Sequence, residues 1–481
     1  MPHFTTLPAL ISLLWTNPIA PPNPVSVQVQ SEVRSETPLF PRSTQVMQLA
    51  QAISVAVDVN WDRLTGRKAT ALSYGLNGFQ LFSAKAMASA TYRENLTAMR
   101  PGILRYHNYQ MMNDSRRDEY GWILDPDKST YRWDRNKIAT VMANPLSYQP
   151  KLMINHGNWP IFMDNGSGQL RVDQYQAFAA LCADLVRVVN VEQKRGVQYW
   201  EVLNEMDRRY VNNPAEVGKI YKLVAEAMRQ VDPTIKIGGP GFESPYLTNR
   251  IEAFVAEAHP QLDFLSYHTY TTARKDNSDQ ELFQAAGALG SEVKNLRSLI
   301  AKYTPRSVEI FHDEFNISYA PPDLRMTNQV SAVYDATGLI SITQAGADAS
   351  MAWNESDGWY GKLENSFGNW RKRPAAYVYQ LFNSHLRGDL VQVKSSFAGI
   401  TPYAIRGEKH YGMALVNRSG ADQWVQLRFT GVNGPVPSRG LLTAYQIDAT
   451  GLQTTTVVGL SWTGSYRVPK DAVVVLRFDR S

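Results

Sequence analysis

Two glutamates stand out among the acidic residues because each closes a short apolar run. Glu205 ends the segment YWEVLNE, directly after Asn204, and Glu314 lies in VEIFHDEF. A pair of carboxyl groups can hydrolyse a glycosidic bond, since one protonates the leaving oxygen and the other attacks the anomeric carbon or directs a water molecule. The chain has 44 acidic residues, so this pair is selected by its context and not by residue type alone.

Other polar and aromatic side chains also lie where apolar runs end. They are Arg105, His107, His268, Tyr270 and Trp353. In a (β/α)8 barrel, the carboxyl ends of the eight strands converge on one site. The shared position of these residues therefore predicts a single site and favours an enzyme.

The elements that must position these residues form a repeated pattern. From Ala71 onward, short apolar runs alternate eight times with longer amphipathic stretches, and the strand candidates are ALSYGLNGF, GILRYH, KLMINHG, VQYWEVLNE, IKIGGPG, DFLSYHTY, SVEIFHDEF and ASMAWNES. Continuous apolar runs are typical of parallel strands buried on both faces. Residues 213–231 predict one intervening helix from their apolar spacing. The pattern predicts an α/β fold, a (β/α)8 TIM barrel, with a doubly wound sheet as the alternative.

The chain divides into five predicted regions. They are a candidate export signal (1–22), a flexible linker (23–50), a strand that joins a C-terminal sheet (51–70), the barrel (71–386) and an all-β sandwich (387–481). The apolar run from Leu7 to Trp15 is typical of an export signal, although no basic residue precedes Arg34. We therefore expect a secreted, periplasmic or cell-surface protein.

Composition excludes several classes of function. A formal charge of +5 over 481 residues gives no concentrated basic stripe, so we expect no nucleic-acid partner. No segment is long and apolar enough to predict an integral membrane span. Cys182 is the single cysteine, and the eight histidines show no HExxH spacing, so nothing calls for a metal or another cofactor. The sequence leaves the oligomeric state open.

Five segments, in order, resemble glycoside hydrolase family 39, the β-xylosidases and α-L-iduronidases within clan A of the retaining (β/α)8 glycosidases. They are LRYHN, WEVLNE, IGGPG, DFLSYHTY and DEFNISYAPPD, which together span Leu104 to Asp323. Three features depart from the family pattern. Met206 follows the first glutamate where members often have Pro, Phe315 follows the second where several have Trp, and the segment KLMINHGNWP matches poorly.

The resemblance implies a role for each candidate residue. Glu205 matches the acid/base and Glu314 the nucleophile, and the pKa of Glu205 is expected to be the higher of the two. The implied substrate-binding residues are Asn204 on a sugar hydroxyl, Arg105 beside the nucleophile, His107 on sugar hydroxyls, His268 and Tyr270 orienting the carboxylates, and Trp353 as a stacking floor. Trp159 is a further substrate-binding candidate.

The function implied is retaining, endo-acting hydrolysis of β-linkages in a polysaccharide, such as an exopolysaccharide, a glucan or a xylan-like polymer. Two alternatives stay open, an exo-acting β-xylosidase and a catalytically inactive carbohydrate-binding matrix protein. Single residues also have structural alternatives: an ion pair for Arg105, core packing for the two histidines and two tryptophans, and a solvated or supporting position for Asp313.

Overall fold

The structure is a computed structural model that describes residues 55–78, 80, 81, 83–107, 122–124, 132–143, 146–365, 368–431, 441–458 and 465–479. The predicted export signal and linker lie outside the described residues, as does most of the long segment 108–131. Within the described part, no helix has the length and apolar character needed to cross a membrane.

Eight parallel strands close into a barrel, which confirms the predicted fold class. The strands of the barrel and its loops are β2 (Gly75–Asn77), β3 (Ile103–Tyr106), β4 (Ile123–Leu124), β5 (Arg132–Trp133), β6 (Lys151–His156), β7 (Tyr199–Val202), β8 (Lys236–Phe242), β9 (Phe264–Thr272), β10 (Glu309–Ser318), β11 (Ala349–Ala352), β12 (Ser356–Asp357), β13 (Leu363–Glu364) and β14 (Arg371–Lys372), after the N-terminal β1 (Val55–Ala69). The barrel order is β2, β3, β6, β7, β8, β9, β10 and β11, and β11 pairs with β2. Each of the eight predicted strands is present.

Helices surround the barrel because their apolar faces cover the strands. They are α1 (Ala84–Ala88), α2 (Ala90–Met99), α3 (Arg135–Val141), α4 (Tyr175–Val186), α5 (Ala215–Val231), α6 (Thr248–Ala258), α7 (Asp279–Ile300), α8 (Gln329–Ala345) and α9 (Pro374–His385). In α5 the residues Val217, Ile220 and Val224 are buried, as their helical spacing predicts. Helix α7 begins at a capping box formed by Ser278 and Glu281.

A nine-stranded sheet follows the barrel in the chain and includes β1. Its other strands are β15 (Gly388–Ser395), β16 (Ile400–Arg406), β17 (His410–Asn417), β18 (Gln423–Thr430), β19 (Leu441–Asp448), β20 (Gly451–Val458), β21 (Ser465–Val468) and β22 (Val473–Asp479). Strand β1 lies between β15, to which it runs antiparallel, and β18, to which it runs parallel. The sheet therefore depends on a segment that precedes the barrel in sequence.

This sheet curls around its own apolar core, as a sandwich does. Three strands separate β1 from β22, so a flat sheet would put them about 19 Å apart. The ring of Trp61 on β1 nevertheless lies 6.4 Å from that of Phe478 on β22 and 5.2 Å from that of Tyr411 on β17. The opposite face packs on the barrel, where the Tyr74 hydroxyl lies 3.0 Å from the Tyr403 hydroxyl.

Candidate active site

The carboxyl ends of four barrel strands bring the predicted site residues together. Strand β3 carries Arg105, the turn after β7 carries Asn204 and Glu205, β9 carries His268 and Tyr270, and β10 carries Glu314. Parallel pairing aligns these strand ends, since Glu314 pairs in register with His268. The convergence that the sequence predicted from strand ends is therefore present in the fold.

Glu205 is the more accessible of the two glutamates. Its side chain is 22% exposed, compared with 7% for Glu314. One carboxylate oxygen lies 2.9 Å from Nδ1 of His268, and the other lies 3.3 Å from Nη1 of Arg208. The backbone of Leu203 and Glu205 is left-handed, with φ of 73° and 51°. Such strain costs about 1–3 kcal/mol per residue and is found where function fixes a side chain.

Glu314 accepts two hydrogen bonds at the base of the site. Nη1 of Arg105 donates to Oε1 at 2.8 Å, and the Tyr270 hydroxyl donates to Oε2 at 2.9 Å. One oxygen each of Glu205 and Glu314 and one nitrogen of His268 lie within 4.8 Å of one another. The two carboxyl groups are therefore close enough to act on the same atom of a substrate.

Arg105 connects the two halves of the site. Its Nη2 donates to Asn204 Oδ1 at 2.7 Å, while Nη1 serves both Glu314 and Asn77 Oδ1. The guanidinium is fully buried. Charge-assisted bonds from a planar, rigid donor fix the orientation of their acceptors, so Arg105 positions Asn204 and Glu314 relative to each other.

The surroundings of Glu205 favour its ionised form. Burial favours the neutral acid, but the hydrogen bond and charge of His268, with Arg208, lower the pKa of Glu205 to about 2. Conversely, the carboxylates of Glu314 and Glu205 raise the pKa of His268 despite its burial. The pair therefore shares one proton, which His268 holds in this arrangement.

The three remaining substrate-binding candidates lie in different surroundings. His107 is buried beside Asn155, at 2.9 Å, and burial lowers its pKa to about 4. The half-buried Trp353 directly follows β11 and places its ring 5.4 Å from that of His107. Trp159 is only 2% exposed, and its indole N–H donates to Asp164, so this residue contributes to packing.

Sequence reasoning missed the polar residues beneath the site. Asn77, Asn155, Glu201 and Asp313 are fully buried in the barrel, and all but Asp313 were left unassigned. Their signal was a polar residue inside an apolar strand, because a buried polar group must find a hydrogen-bonding partner. Asp313 was interpreted as solvated or supporting, and its burial rules out the solvated position.

The atoms of Glu205, His268 and Glu314 have a spacing that could also hold a metal ion. Arg105 already donates to Glu314 at 2.8 Å. A cation placed there would be repelled by the buried guanidinium. We therefore assign no metal to these residues.

Comparisons with known proteins agree with this geometry. A family model described as glycosyl hydrolases family 39 matches residues 170–359, a range that includes both glutamates. A β-xylosidase of Geobacillus stearothermophilus is 27% identical over 154 residues, which cover 30% of this chain and 30% of that protein. A β-xylosidase of Caldicellulosiruptor saccharolyticus is 24% identical over 263 residues, which cover 50% of this chain and 53% of that protein. The chain thus matches about half or less of each curated relative.

A solved structure extends the likeness to the whole fold. The GH39 enzyme of Xanthomonas axonopodis pv. citri has a TM-score of 0.67 at 16% identity, covering 92% of this chain and 100% of that chain. At this identity the likeness concerns the fold alone. The chain is thus similar to glycosyl hydrolases family 39 in sequence over residues 170–359, and it shares its fold with the solved enzyme.

Proposed function

We propose that the protein is a retaining glycoside hydrolase that cleaves β-glycosidic bonds by double displacement. The observation that carries this proposal is the approach of Glu205 and Glu314, since one carboxylate oxygen of each lies within 4.8 Å of the other. Retaining enzymes hold their carboxyl groups about 5–5.5 Å apart, whereas inverting enzymes leave about 6.5–9.5 Å for a water molecule. The spacing in this site therefore favours retention.

Glu314 acts as the nucleophile in this mechanism. It is the deeper carboxylate, and the bonds from Arg105 and Tyr270 aim its oxygens. When Glu314 attacks the anomeric carbon, the bond to the leaving oxygen breaks and Glu314 becomes an ester. Its negative charge is then lost, which changes the electrostatic environment of both Glu205 and His268.

Glu205 protonates the leaving oxygen and later activates water. His268 supplies the proton through its 2.9 Å contact with Glu205, because the ligand-free pair holds its shared proton on the imidazole. A bound sugar that excludes water makes ionised Glu205 less favourable and draws the proton toward it. In the second step, Glu205 takes a proton from the water that hydrolyses the ester.

We propose a polysaccharide as the substrate, cut within the chain. Support comes from exposed aromatic side chains on loops at the carboxyl ends of the barrel strands, namely Tyr246, Tyr319 and Trp359. Aromatic faces stack on sugar rings, and several such faces suit a substrate with many rings. The alternative of an exo-acting β-xylosidase is favoured by the names of both curated relatives.

A panel of purified β-linked polysaccharides and aryl β-glycosides tests the proposal. We expect the viscosity of a polymer to fall early, before much reducing sugar appears, and NMR of the first product to show the β-anomer. Release of monosaccharide alone from chain ends would establish the exo alternative. An initial α-anomer would contradict retention, and no turnover of any substrate would favour an inactive binding protein.

We further propose that the protein is exported to the periplasm, the cell surface or the medium. The support is the apolar run from Leu7 to Trp15. N-terminal sequencing of the protein from the producing cell would detect cleavage near Ala20, and an intact cytoplasmic N-terminus would contradict export.

A further inference from the structure

Three carboxyl groups share one guanidinium beneath the catalytic pair. Arg105, Glu201 and Asp313 are 0% exposed, and Glu314 is 5% exposed. Nε of Arg105 lies 2.7 Å from Glu201 Oε2 and 3.2 Å from Asp313 Oδ2, while Nη1 lies 2.8 Å from Glu314 Oε1. If all three acids were ionised, this group would carry two uncompensated negative charges. Each such buried charge costs several kcal/mol, by order of magnitude.

The hydrogen-bond donors in this cluster are directed at Glu201. The single hydrogen on Nε of Arg105 goes to Glu201 Oε2, since the bond there is the shorter one at 2.7 Å. Asn155 Nδ2 also donates to Oε2 at 2.7 Å, and Ser266 Oγ donates to Oε1 at 2.5 Å. With three donors around it, Glu201 is well suited to be the ionised carboxylate.

Asp313 has the opposite surroundings. Within the described part of the chain, neither of its carboxyl oxygens receives a hydrogen bond. Nε2 of His268 lies 3.7 Å from Oδ1, which is too long for such a bond. Its Oδ2 and Glu201 Oε2 instead approach the same Nε atom of Arg105, so the two carboxyl groups lie side by side. As an anion, Asp313 would be buried without a donor and beside a second anion, but as an acid it can donate its O–H to Glu201.

We propose that Asp313 is a protonated carboxylic acid at neutral pH and donates a hydrogen bond to Glu201, which holds Arg105 in place. Burial, followed by the charge of Glu201, raises the pKa of Asp313 well above its usual range. Arg105 and the neighbouring donors outweigh burial for Glu201 and lower its pKa to about 2. The ionisable groups that face Asp313 from the surrounding strands are Arg105, Glu201, Tyr267, His268 and Glu314.

The proton on Asp313 also affects catalysis, and this part of the inference rests on the proposed function. Because Glu201 holds Nε of Arg105, the two Nη atoms remain available for Glu314 and Asn204, at 2.8 Å and 2.7 Å. A neutral Asp313 leaves one anion at Nε instead of two, so more of the guanidinium charge acts on Glu314. Asp313 is thus a positioning residue that acts through Arg105.

Infrared spectroscopy of the intact protein tests the proton directly. A protonated carboxyl group has a carbonyl stretch distinct from that of a carboxylate. Spectra are recorded at about pH 8.5, above the pKa of Glu292, which burial raises to about 7. We expect Asp313→Asn to remove one such band from the wild-type spectrum. Glu201→Gln should also remove it, because Asp313 then becomes the natural anion for Arg105.

Activity measurements on Asp313→Asn and a further variant, Asp313→Ala, test the positioning role. The amide of Asp313→Asn is neutral and can donate to Glu201, so we expect kcat within about threefold of wild type and an unshifted acid limb of kcat/KM. Asp313→Ala removes the donor, and we expect kcat to fall about 100-fold with a smaller change in KM. Circular dichroism and thermal unfolding of each variant establish that it is folded.

The two kinds of measurement separate failure of this inference from failure of the proposed function. A wild-type spectrum without the band, or an acid limb that moves down by about one pH unit in Asp313→Asn, would show that Asp313 is ionised. If no glycoside is hydrolysed, the band still decides the state of Asp313. If retention and turnover are found without the band, only this inference is wrong.

Discussion

Glu205 and Glu314 differ in what surrounds them, so their removal should have different consequences. We expect Glu314→Ala to abolish turnover of every substrate, because no covalent intermediate can form. Glu205→Ala should spare the first step for aryl glycosides with good leaving groups and slow the second step by about 10²–10⁴-fold. Azide should then restore turnover and yield a β-glycosyl azide, identified by NMR. A retained β-azide from Glu314→Ala, together with an inverted azide from Glu205→Ala, would mean that the two roles are exchanged.

Glu292 predicts a pH dependence of stability that is separate from catalysis. This buried side chain on α7 accepts hydrogen bonds from Tyr246 at 2.7 Å and Thr269 at 2.8 Å, and burial raises its pKa from 4.5 to about 7. The folded protein therefore holds a proton between these pH values that the unfolded chain releases. Its stabilising contribution is complete below about pH 4.5 and is lost as the pH rises to about 7.

Glu292→Gln should remove this dependence, since the amide stays neutral. We expect the variant to be more stable than wild type by about 1–3 kcal/mol at pH 8, with little difference at pH 4.5, as measured by urea unfolding. Glu94→Gln, at an exposed position on α2, is the matched control and should change the free energy of unfolding little at either pH. Equal stability of Glu292→Gln and wild type at both pH values would contradict a neutral Glu292.

At the residue scale, the sequence was sufficient to predict the site residues at the strand ends, but it was not sufficient to predict the roles of the buried polar residues beneath them. Glu205, Glu314 and Arg105 were predictable because the ends of parallel strands must meet. The protonation state of Asp313 was not predictable, since it depends on Glu201, which lies 112 positions away in the chain. The ionised state of Glu205 was not predictable for a similar reason, because it depends on a single contact with His268.

At the scale of elements, the segment after β11 forms the wall beside Tyr270. Tyr360 lies 6.3 Å from the Tyr270 ring, and its hydroxyl donates to the carbonyl of Tyr319 at 3.2 Å. The guanidinium of Arg373 fixes this segment, donating to the carbonyl oxygens of Gly358 at 2.7 Å, Trp359 at 3.1 Å and Gly361 at 2.7 Å. The Arg373 side chain thus fixes the turn that leads to Tyr360 at the edge of the candidate active site.

Arg373→Met should loosen this wall while keeping a side chain of similar volume. We expect KM to rise about tenfold, equivalent to about 1.4 kcal/mol, with a smaller change in kcat, because the catalytic pair itself is untouched. The control is Arg371→Met, since Arg371 pairs with Glu364 on the surface, where its side chain is 73% exposed. An unchanged KM with a lower melting temperature would mean that the segment supports the fold without touching substrate.

The strands themselves were the most predictable elements. Each run of consecutive apolar residues became a barrel strand, because both faces of a parallel strand are buried. Periodicity did not predict the pairing register of the strands or the curvature of the nine-stranded sheet. The nine-stranded sheet curls until Trp61 meets Phe478, and that closure arises from packing between residues more than 400 positions apart.

At the scale of the whole molecule, one face of the sheet shares an apolar core with the barrel helices, and its other face forms the separate core around Trp61. Tyr403, Ala414, Val416 and Val475 on the sheet belong to the same buried cluster as the barrel helices α8 and α9. Because these contacts are apolar, separating the two parts would expose them to water at a cost of about 25 cal/mol per Å². We therefore expect barrel and sheet to unfold together, although their sequence patterns look like those of two domains.

Trp61→Ala tests this coupling from the far side of the sheet. The Trp61 ring packs edge-on against Tyr411, Phe429 and Phe478, at centroid distances of 5.2, 5.6 and 6.4 Å. Removing so large a buried side chain costs about 3–5 kcal/mol. If barrel and sheet unfold together, calorimetry should show one transition for the variant at a lower temperature, and loss of catalytic activity on heating should follow the same curve. Leu64→Ala on the same strand removes a side chain that is 42% exposed and should change the transition little. Two separate transitions, with activity surviving the first, would mean that the barrel folds independently of the sheet.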